Sequence, residues 1–338
     1  MGRAAPPLVS ILLPAFNASS TLPVCLRSIE RQREPRWECV LVDDGSGDDT
    51  LACANAHAAR DRRFVVVARR HAGLVAALNA GLEHCRGRYI ARMDADDVMH
   101  SQRLAAQVAG LDSAPELVGV GSHVRVWPRH HLQAGWREYE RWLNHIDSAQ
   151  QVHAEAFVEC PVVHPTLMMR RDILLRFGYR DCDWPEDYDL LLRLLAAGHD
   201  IGVVPRRLLG WRDSAQRLTR TSSRYAIDRF APCKAAFLAA QFLARTDTYI
   251  LWGFGRTGRA LHRALLVHGK RLAYLVDVHP GRLGNRIHGA ATIAPEALAG
   301  LHGLPVVVSV ARALPRSKIR AAMRQMGFEE LRDFVCAA

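Results

Sequence analysis

The first hundred residues alternate two periodicities, and that alternation constrains the fold more than any other feature. Residues 9–14, 39–44, 64–67 and 88–92 are short apolar runs of strand length, while 21–33, 50–59 and 73–85 carry apolar side chains at helical spacing. Strands alternating with helices of this length imply right-handed crossovers and a parallel sheet. Such sheets bind ligands beyond the carboxyl ends of their strands, near a reversal of strand order. The polar clusters at 14–17, 43–48 and 94–97 all fall at strand ends. One sheet edge is therefore expected to gather them.

The last of these clusters carries the most chemistry. Asp94, Asp96 and Asp97 stand together directly after a strand, and crowded carboxylates repel one another unless a cation neutralises them. Oxygen-only donors, few in number, suit Mg²⁺ or Mn²⁺ held jointly with a phosphate. An Asp-rich turn is more often a solvated loop or a helix cap, and Asp97 suits a cap. The second acidic pair Glu186-Asp187 and the strand-end pair Asp43-Asp44 weigh towards a site.

The later pattern divides. Residues 117–126 and 166–169 read as strands, 136–153 as a helix, 187–197 as a helix stopped by Gly198, and 201–204 as a short strand. Residues 222–245 read as one amphipathic helix or two, broken at Pro232, packed on the core or lying on a membrane. A self-contained α/β unit begins at Thr248: a strand, then Gly253-x-Gly255-x-x-Gly258 opening a helix, then a strand ended by Asp277. That arrangement seats a pyrophosphate on a helix N-terminus and a ribose hydroxyl on the acid. NAD or another nucleotide is the ligand this spacing suggests. The expected domains are 1–222, a connecting helical segment 223–245, and 246–338.

Charge and cysteine usage narrow the partners. The net charge is +11, mostly from dispersed Arg, and no nucleic-acid module or basic-aromatic alternation accompanies it. Phosphorylated ligands and an anionic membrane surface fit that charge better than nucleic acid. Eight cysteines lack metal or disulfide spacing, the pattern of reduced cytoplasmic thiols. No run reaches the ~18 apolar residues of a bilayer span. Residues 9–16 are too short for a signal sequence.

Five ordered motifs carry a resemblance. Val-Ser-Ile-Leu-Leu-Pro-Ala-Phe-Asn, Val-Asp-Asp-Gly-Ser-Gly-Asp-Asp-Thr, Gly73 to Asn79, Ala-Arg-Met-Asp-Ala-Asp-Asp and the later His164-Pro165-Thr166 with Glu186-Asp187 resemble family 2 glycosyltransferases over about residues 6–222. The resemblance implies a GT-A fold, a nucleotide-sugar donor, a divalent metal and inversion at the anomeric carbon. Asp96, with Asp94 helping, is then the metal site. Pro14, Phe16, Asn17, Asp43 and Asp44 line the base pocket, and Gly73, Asn79 and Arg92 are further substrate-binding positions. Asp187 is the general base, and Glu186 binds acceptor hydroxyls or tunes that base. His164 and Thr166 lie beside the sugars. Trp211, Arg212 and Arg220 match a segment that closes over the diphosphate, where Arg offers bidentate contacts. The His or Ser often found there is missing, which leaves any third metal ligand unassigned. The absence of Gln-x-x-Arg-Trp favours transfer of single sugars over polymerisation.

The resemblance also implies work in cell-envelope polysaccharide or glycolipid assembly, in the cytoplasm or on the inner face of the membrane. The C-terminal unit resembles the Rossmann-like domains of sugar-modifying enzymes, which bind a nucleotide or CoA-type ligand or serve contacts alone. Two rival readings stand beside this one: an NAD-dependent sugar oxidoreductase using that unit, and a nucleotide-sugar-binding module without catalysis.

Overall fold

The computed structural model describes residues 6–214, 217 and 222–338. They form two compact units. The first comprises the described residues up to Ala149 together with Val162–Cys182 and Arg193–Arg217; the second comprises Gln150–Pro161, Asp183–Leu192 and the described residues from 222 onward.

In chain order the first half contains β1 (Val9–Ala15), α1 (Leu22–Glu30), β2 (Trp37–Asp43), α2 (Thr50–Arg60), β3 (Phe64–Ala68), α3 (Leu74–His84) and β4 (Tyr89–Arg92). There follow β5 (Val98–Met99), α4 (Arg103–Ser113), β6 (Leu117–Trp127), α5 (Ala134–Leu143), α6 (Ala149–Glu155), β7 (Met168–Arg170), α7 (Arg171–Phe177), α8 (Glu186–Ala196) and β8 (Asp200–Arg212). These eight strands form one mixed sheet in the order β3-β2-β1-β4-β7-β6-β8-β5. β1 and β2 are buried along their whole length, whereas β3 at the edge is half-exposed, as a parallel sheet covered on both faces requires. Gly81 lets α3 press against that sheet: a Cβ there would meet Leu12 Cδ1 at 2.4 Å and Val42 Cγ2 at 2.8 Å.

Strand order reverses between β1 and β4, and β1 runs parallel to both β2 and β4. The carboxyl ends Ala15, Asp43 and Arg92 therefore share one edge, as the alternating pattern requires. β7 runs antiparallel to β4, so the 3₁₀ turn His164–Thr166 just before it reaches the same edge.

Several elements depart from their expected bounds. Residues 136–153 are two helices, because Asn144 turns its amide onto β6, accepting from Val124 N at 2.8 Å and donating to Val124 O at 2.9 Å. The strand expected at 201–204 runs for 13 residues as β8. Pro205 and two exposed arginines hide its continuation, and shifts of register against β6 absorb them.

The second unit contains α9 (Ile227–Ala240), β9 (Thr248–Trp252), α10 (Arg256–Val267), β10 (Arg271–Val276), β11 (Arg286–Ile287), β12 (Ala290–Ile293), β13 (Val306–Val308), α11 (Ala313–Gln325) and β14 (Phe334–Cys336). α9 runs through Pro232 unbroken, with the loss of one backbone hydrogen bond. The six strands form a sheet in the order β11-β12-β10-β9-β13-β14, parallel apart from β11.

Candidate active site

Two loops at the carboxyl edge of the first sheet are stitched together by side chains. Asn17, at φ 49°, accepts from Gly47 N at 2.9 Å, and Ser46 Oγ accepts from Asn17 N at 3.0 Å. Thr50 Oγ1 accepts from Ala18 N at 2.7 Å. Gly45 sits at φ 73°, and a Cβ there would lie 2.6 Å from His71 N; only glycine meets both demands. Pro14 is buried and Phe16 is 47% exposed, its ring stacked on His71 at 4.2 Å.

Asp43 and Asp44 are both buried. Asp43 accepts from Ser46 N at 3.2 Å, and its other oxygen has no hydrogen-bond partner. Asp44 accepts from Gly73 N at 2.8 Å and from Ala72 N, with Arg69 and His71 beside it at 3.3 and 2.8 Å. An apolar shelf, two carboxylates and a glycine-bounded loop thus meet at one place. His71 belongs to it although no motif names that residue; its signal in the sequence is its place two residues before Gly73.

The acidic turn after β4 is crowded. Ligand oxygens of Asp94, Asp96 and Asp97 lie within 4.8 Å of one another. Arg92 turns inward, pairing with Asp94 at 2.6 Å. Beneath it Arg103 is fully buried, donating to Arg92 O at 2.8 Å and to Gln107 Oε1 at 2.9 Å. Burial lowers the Arg103 pKa to about 9. Asp97 accepts from Arg212 N at 2.7 Å, and its second oxygen is buried without a partner. Arg212 also donates to Asp96 O at 2.8 Å and lies 3.8 Å from the Trp127 ring centre. Arg217 lies 4.2 Å over Trp211, itself 7% exposed.

Burial first, and repulsion from Asp94 second, push the Asp96 carboxyl up to about 6. Burial, then Asp94 and Asp96, push Asp97 well above the ordinary carboxylate range. An arriving cation relieves all of these effects. The orphaned oxygen, the mutual distances and the oxygen-only donors fit a divalent ion of the Mg²⁺ or Mn²⁺ kind.

Other expected residues occupy framework positions. Thr166 is fully buried, and its hydroxyl donates to Val163 O at 2.7 Å. Asn79 bridges the Tyr179 backbone, donating to its O at 2.8 Å and accepting from its N at 3.0 Å. His164 is buried with Nε2 3.0 Å from the Tyr179 hydroxyl, and burial holds its pKa well below the usual histidine value. Arg220 lies outside the described residues.

Glu186 and Asp187 open α8 in the second unit. Glu186 is 1% exposed and Asp189 2%, while Asp187 is half-buried. Of the three carboxylates in that turn, Asp187 is the one with surface to offer.

In the second unit, Gly253 takes φ 95°, and a Cβ on Gly258 would lie 2.5 Å from Gly253 O. Gly255 has open space around it. Asp277 accepts from His279 N at 2.9 Å and from Arg282 Nη1 at 2.7 Å. Burial alone would raise its pKa, but the Arg282 hydrogen bond brings it below the ordinary value. The carboxylate expected to hold a ribose is thus engaged by its own chain.

Residues 10–178 match the family Glycosyl transferase family 2. The chain belongs to that family. This family 2 glycosyltransferase is 31% identical over 206 residues to the amylovoran biosynthesis glycosyltransferase AmsE of Erwinia amylovora, covering 60% of this chain and 75% of that protein. It is 32% identical over 228 residues to the putative glycosyltransferase EpsE of Bacillus subtilis, covering 66% and 79%. Among solved structures it is similar to the mannosyltransferase PcManGT of Pyrobaculum calidifontis in complex with GDP-Man and Mn²⁺, with TM-score 0.53, 19% identity and coverage of 96% and 81%. It is also similar to S. aureus TarS 1–349 in complex with UDP-GlcNAc, with TM-score 0.55, 16% identity and coverage of 76% and 71%. These likenesses place the glycosyltransferase in the GT-A fold. No helix among its described residues is long and apolar enough to cross a membrane.

Proposed function

We propose that this glycosyltransferase moves a sugar from a nucleoside-diphosphate donor to an acceptor hydroxyl with inversion, in the assembly of a cell-envelope polysaccharide or glycolipid. The observation that carries the reading is the crowded carboxylate turn at the end of β4, at the reversal of strand order. Asp96 and Asp94 would hold Mn²⁺ or Mg²⁺. A bound ion supplies neutralisation of the charge that develops on the leaving diphosphate. The names of AmsE, PcManGT and TarS 1–349, with the ligands of the last two, support the product class and a nucleotide-sugar donor.

The chain's own residues do the rest. Phe16 and His71 offer the base a stacking face, and Asp43 and Asp44 flank it. Arg212 and Arg217 bring positive charge beside Asp96 and Asp97, placed to meet the diphosphate. Asp187 takes the proton of the acceptor hydroxyl as the sugar leaves from the opposite face. Work on the inner face of the cytoplasmic membrane, without permanent insertion, fits the net charge of +11. Asp277, engaged by Arg282 and His279 N, gives a hydride-transfer reading no support.

The test starts from thermal-shift screening of UDP- and GDP-sugars with and without Mn²⁺. Asp187→Asn should keep affinity for the selected donor within a few-fold while turnover falls ~10²–10⁴-fold, the range for a lost general base. Wild-type turnover in this variant would remove Asp187 from the role.

A further inference from the structure

The first turn of α8 is pinned from within the second unit at every residue around Asp187. Trp184 Nε1 donates to Asp189 Oδ1 at 3.1 Å. Tyr188 is fully buried; its hydroxyl donates to Ala156 O at 2.6 Å, and its ring centre lies 5.7 Å from that of Phe230. The Tyr225 hydroxyl donates to Glu186 Oε2 at 2.6 Å. Tyr225 ends the 3₁₀ turn Ser223–Tyr225, five residues after Arg220 in sequence.

We propose that Tyr225 is a positioning residue for sugar transfer, fixing Glu186 and through it the orientation of Asp187. The inference rests on the reading of Asp187 as general base and assigns Glu186 a structural task beside it. A carboxylate with 1% of its surface exposed needs donors to remain ionised inside the protein. A hydroxyl at 2.6 Å is of the short, charge-assisted kind. Next to it, Tyr188 N donates to Asp187 Oδ1 at 2.8 Å, so the two acids hang on one hydrogen-bonded turn. Without the Tyr225 hydroxyl, Glu186 loses that contact, and the turn that carries Asp187 shifts with it. Displacement on the order of 1 Å is enough to slow a positioned reaction severely.

The experiment uses the full chain and the nucleotide sugar that the wild type turns over. Tyr225→Phe should lower kcat roughly tenfold, the loss expected for one hydrogen bond to a charged group. Donor KM and melting temperature should stay near wild type. Glu186→Gln, which keeps an oxygen for the Tyr225 hydroxyl, should fall less than Glu186→Leu. The double variant Tyr225→Phe/Glu186→Leu should be no slower than Glu186→Leu alone, since the two act through one contact. Multiplying losses in the double variant, or a raised donor KM with unchanged kcat, would overturn the proposal. A severe loss in Glu186→Gln would do the same, because it would make the charge itself catalytic; this arm decides the matter even if Tyr225→Phe fails to fold. Full activity of Tyr225→Phe beside an inactive Asp187→Asn would end the positioning role alone. Full activity of Asp187→Asn would end the general-base reading beneath it.

Discussion

At the end of β4 three carboxylates crowd together with a buried oxygen left without a partner, while at the end of β10 one carboxylate is matched by one arginine and one backbone N–H. Both acids follow a strand that pairs in parallel with a neighbour, so the sequence writes them alike. The physical chemistry separates them. Burial and repulsion raise Asp96 to about 6, whereas Asp277 lies below its ordinary value because Arg282 outweighs its burial. At the first end Arg92 and Arg212 already stand beside the carboxylates, yet burial and mutual repulsion still dominate and Asp97 keeps a buried oxygen without a partner. The second is already neutral within itself.

The largest expected effect tests that contrast directly. Asp96→Ala should abolish Mn²⁺-dependent binding of UDP or GDP, measured by calorimetry. Asp277→Ala should leave the same binding within about twofold, since Asp277 is matched within its own turn by Arg282 and His279 N. Loss of Mn²⁺-dependent binding in the Asp277 variant would break the comparison, because it would make the second unit part of the donor site.

The same contrast sets opposite pH dependences for the metal-free protein. A carboxyl raised in the folded state binds its proton more tightly there than in the unfolded chain. Asp96 therefore adds stability at low pH, and that stability is lost as pH rises from about 4 to 6. Asp97, also pushed well above the ordinary carboxylate range by burial, adds a loss of the same sign as pH rises. Asp277 is lowered in the folded state, so its contribution is present above about pH 4 and disappears as pH falls through its folded pKa. Urea midpoints should show Asp96→Asn flattening the fall in stability between pH 4 and 6. Asp277→Asn should lose at most about 1 kcal/mol at pH 7, since its partner Arg282 is 44% exposed. A steeper fall in Asp96→Asn would reverse the assignment of the raised carboxyl.

Much of the first strand end is legible in the amino-acid sequence. Alternating periodicities locate its strands, and the Asp94–Asp97 run stands out through its charge density together with the acidic pairs Asp43-Asp44 and Glu186-Asp187. What the sequence hides is the set of buried groups beneath it. Arg103 reads as one more helix-surface arginine, yet it lies wholly inside, bonded to Arg92 O and Gln107. Its carbonyl partner lies 11 residues back, beyond the acidic turn, and Gln107, one turn along the same helix, is a polar residue that reads as surface too. Nor does the sequence show that the hydrogen bonds of Thr166 and Asn79, polar residues of the quoted motifs, go to the backbone. The second strand end looks complete in sequence, with three glycines and an acid at the right spacing. Arg282 changes that reading, and it becomes visible only once the turn after β10 has brought it back onto Asp277.

The glycines of that second strand end give the smallest effect and the finest test. At Gly258 an added Cβ meets Gly253 O and Ser309 Oγ, each at 2.5 Å, so Gly258→Ala must force α10 away from β9. Overpacking of this kind costs roughly 1–3 kcal/mol. Gly255 precedes the same helix at φ −72° with nothing within 4 Å of its Cβ position, so Gly255→Ala should change stability by no more than about 0.5 kcal/mol. Both follow from packing alone, and NAD at millimolar concentration should leave the melting temperature of wild type and Gly255→Ala unmoved. A ligand that fitted this turn would be felt most at the open glycine, where a methyl group projects into the space a phosphate would need. An NAD-dependent rise in the wild type that Gly255→Ala removes would therefore show that the second strand end, despite its internally matched acid, is a binding site after all.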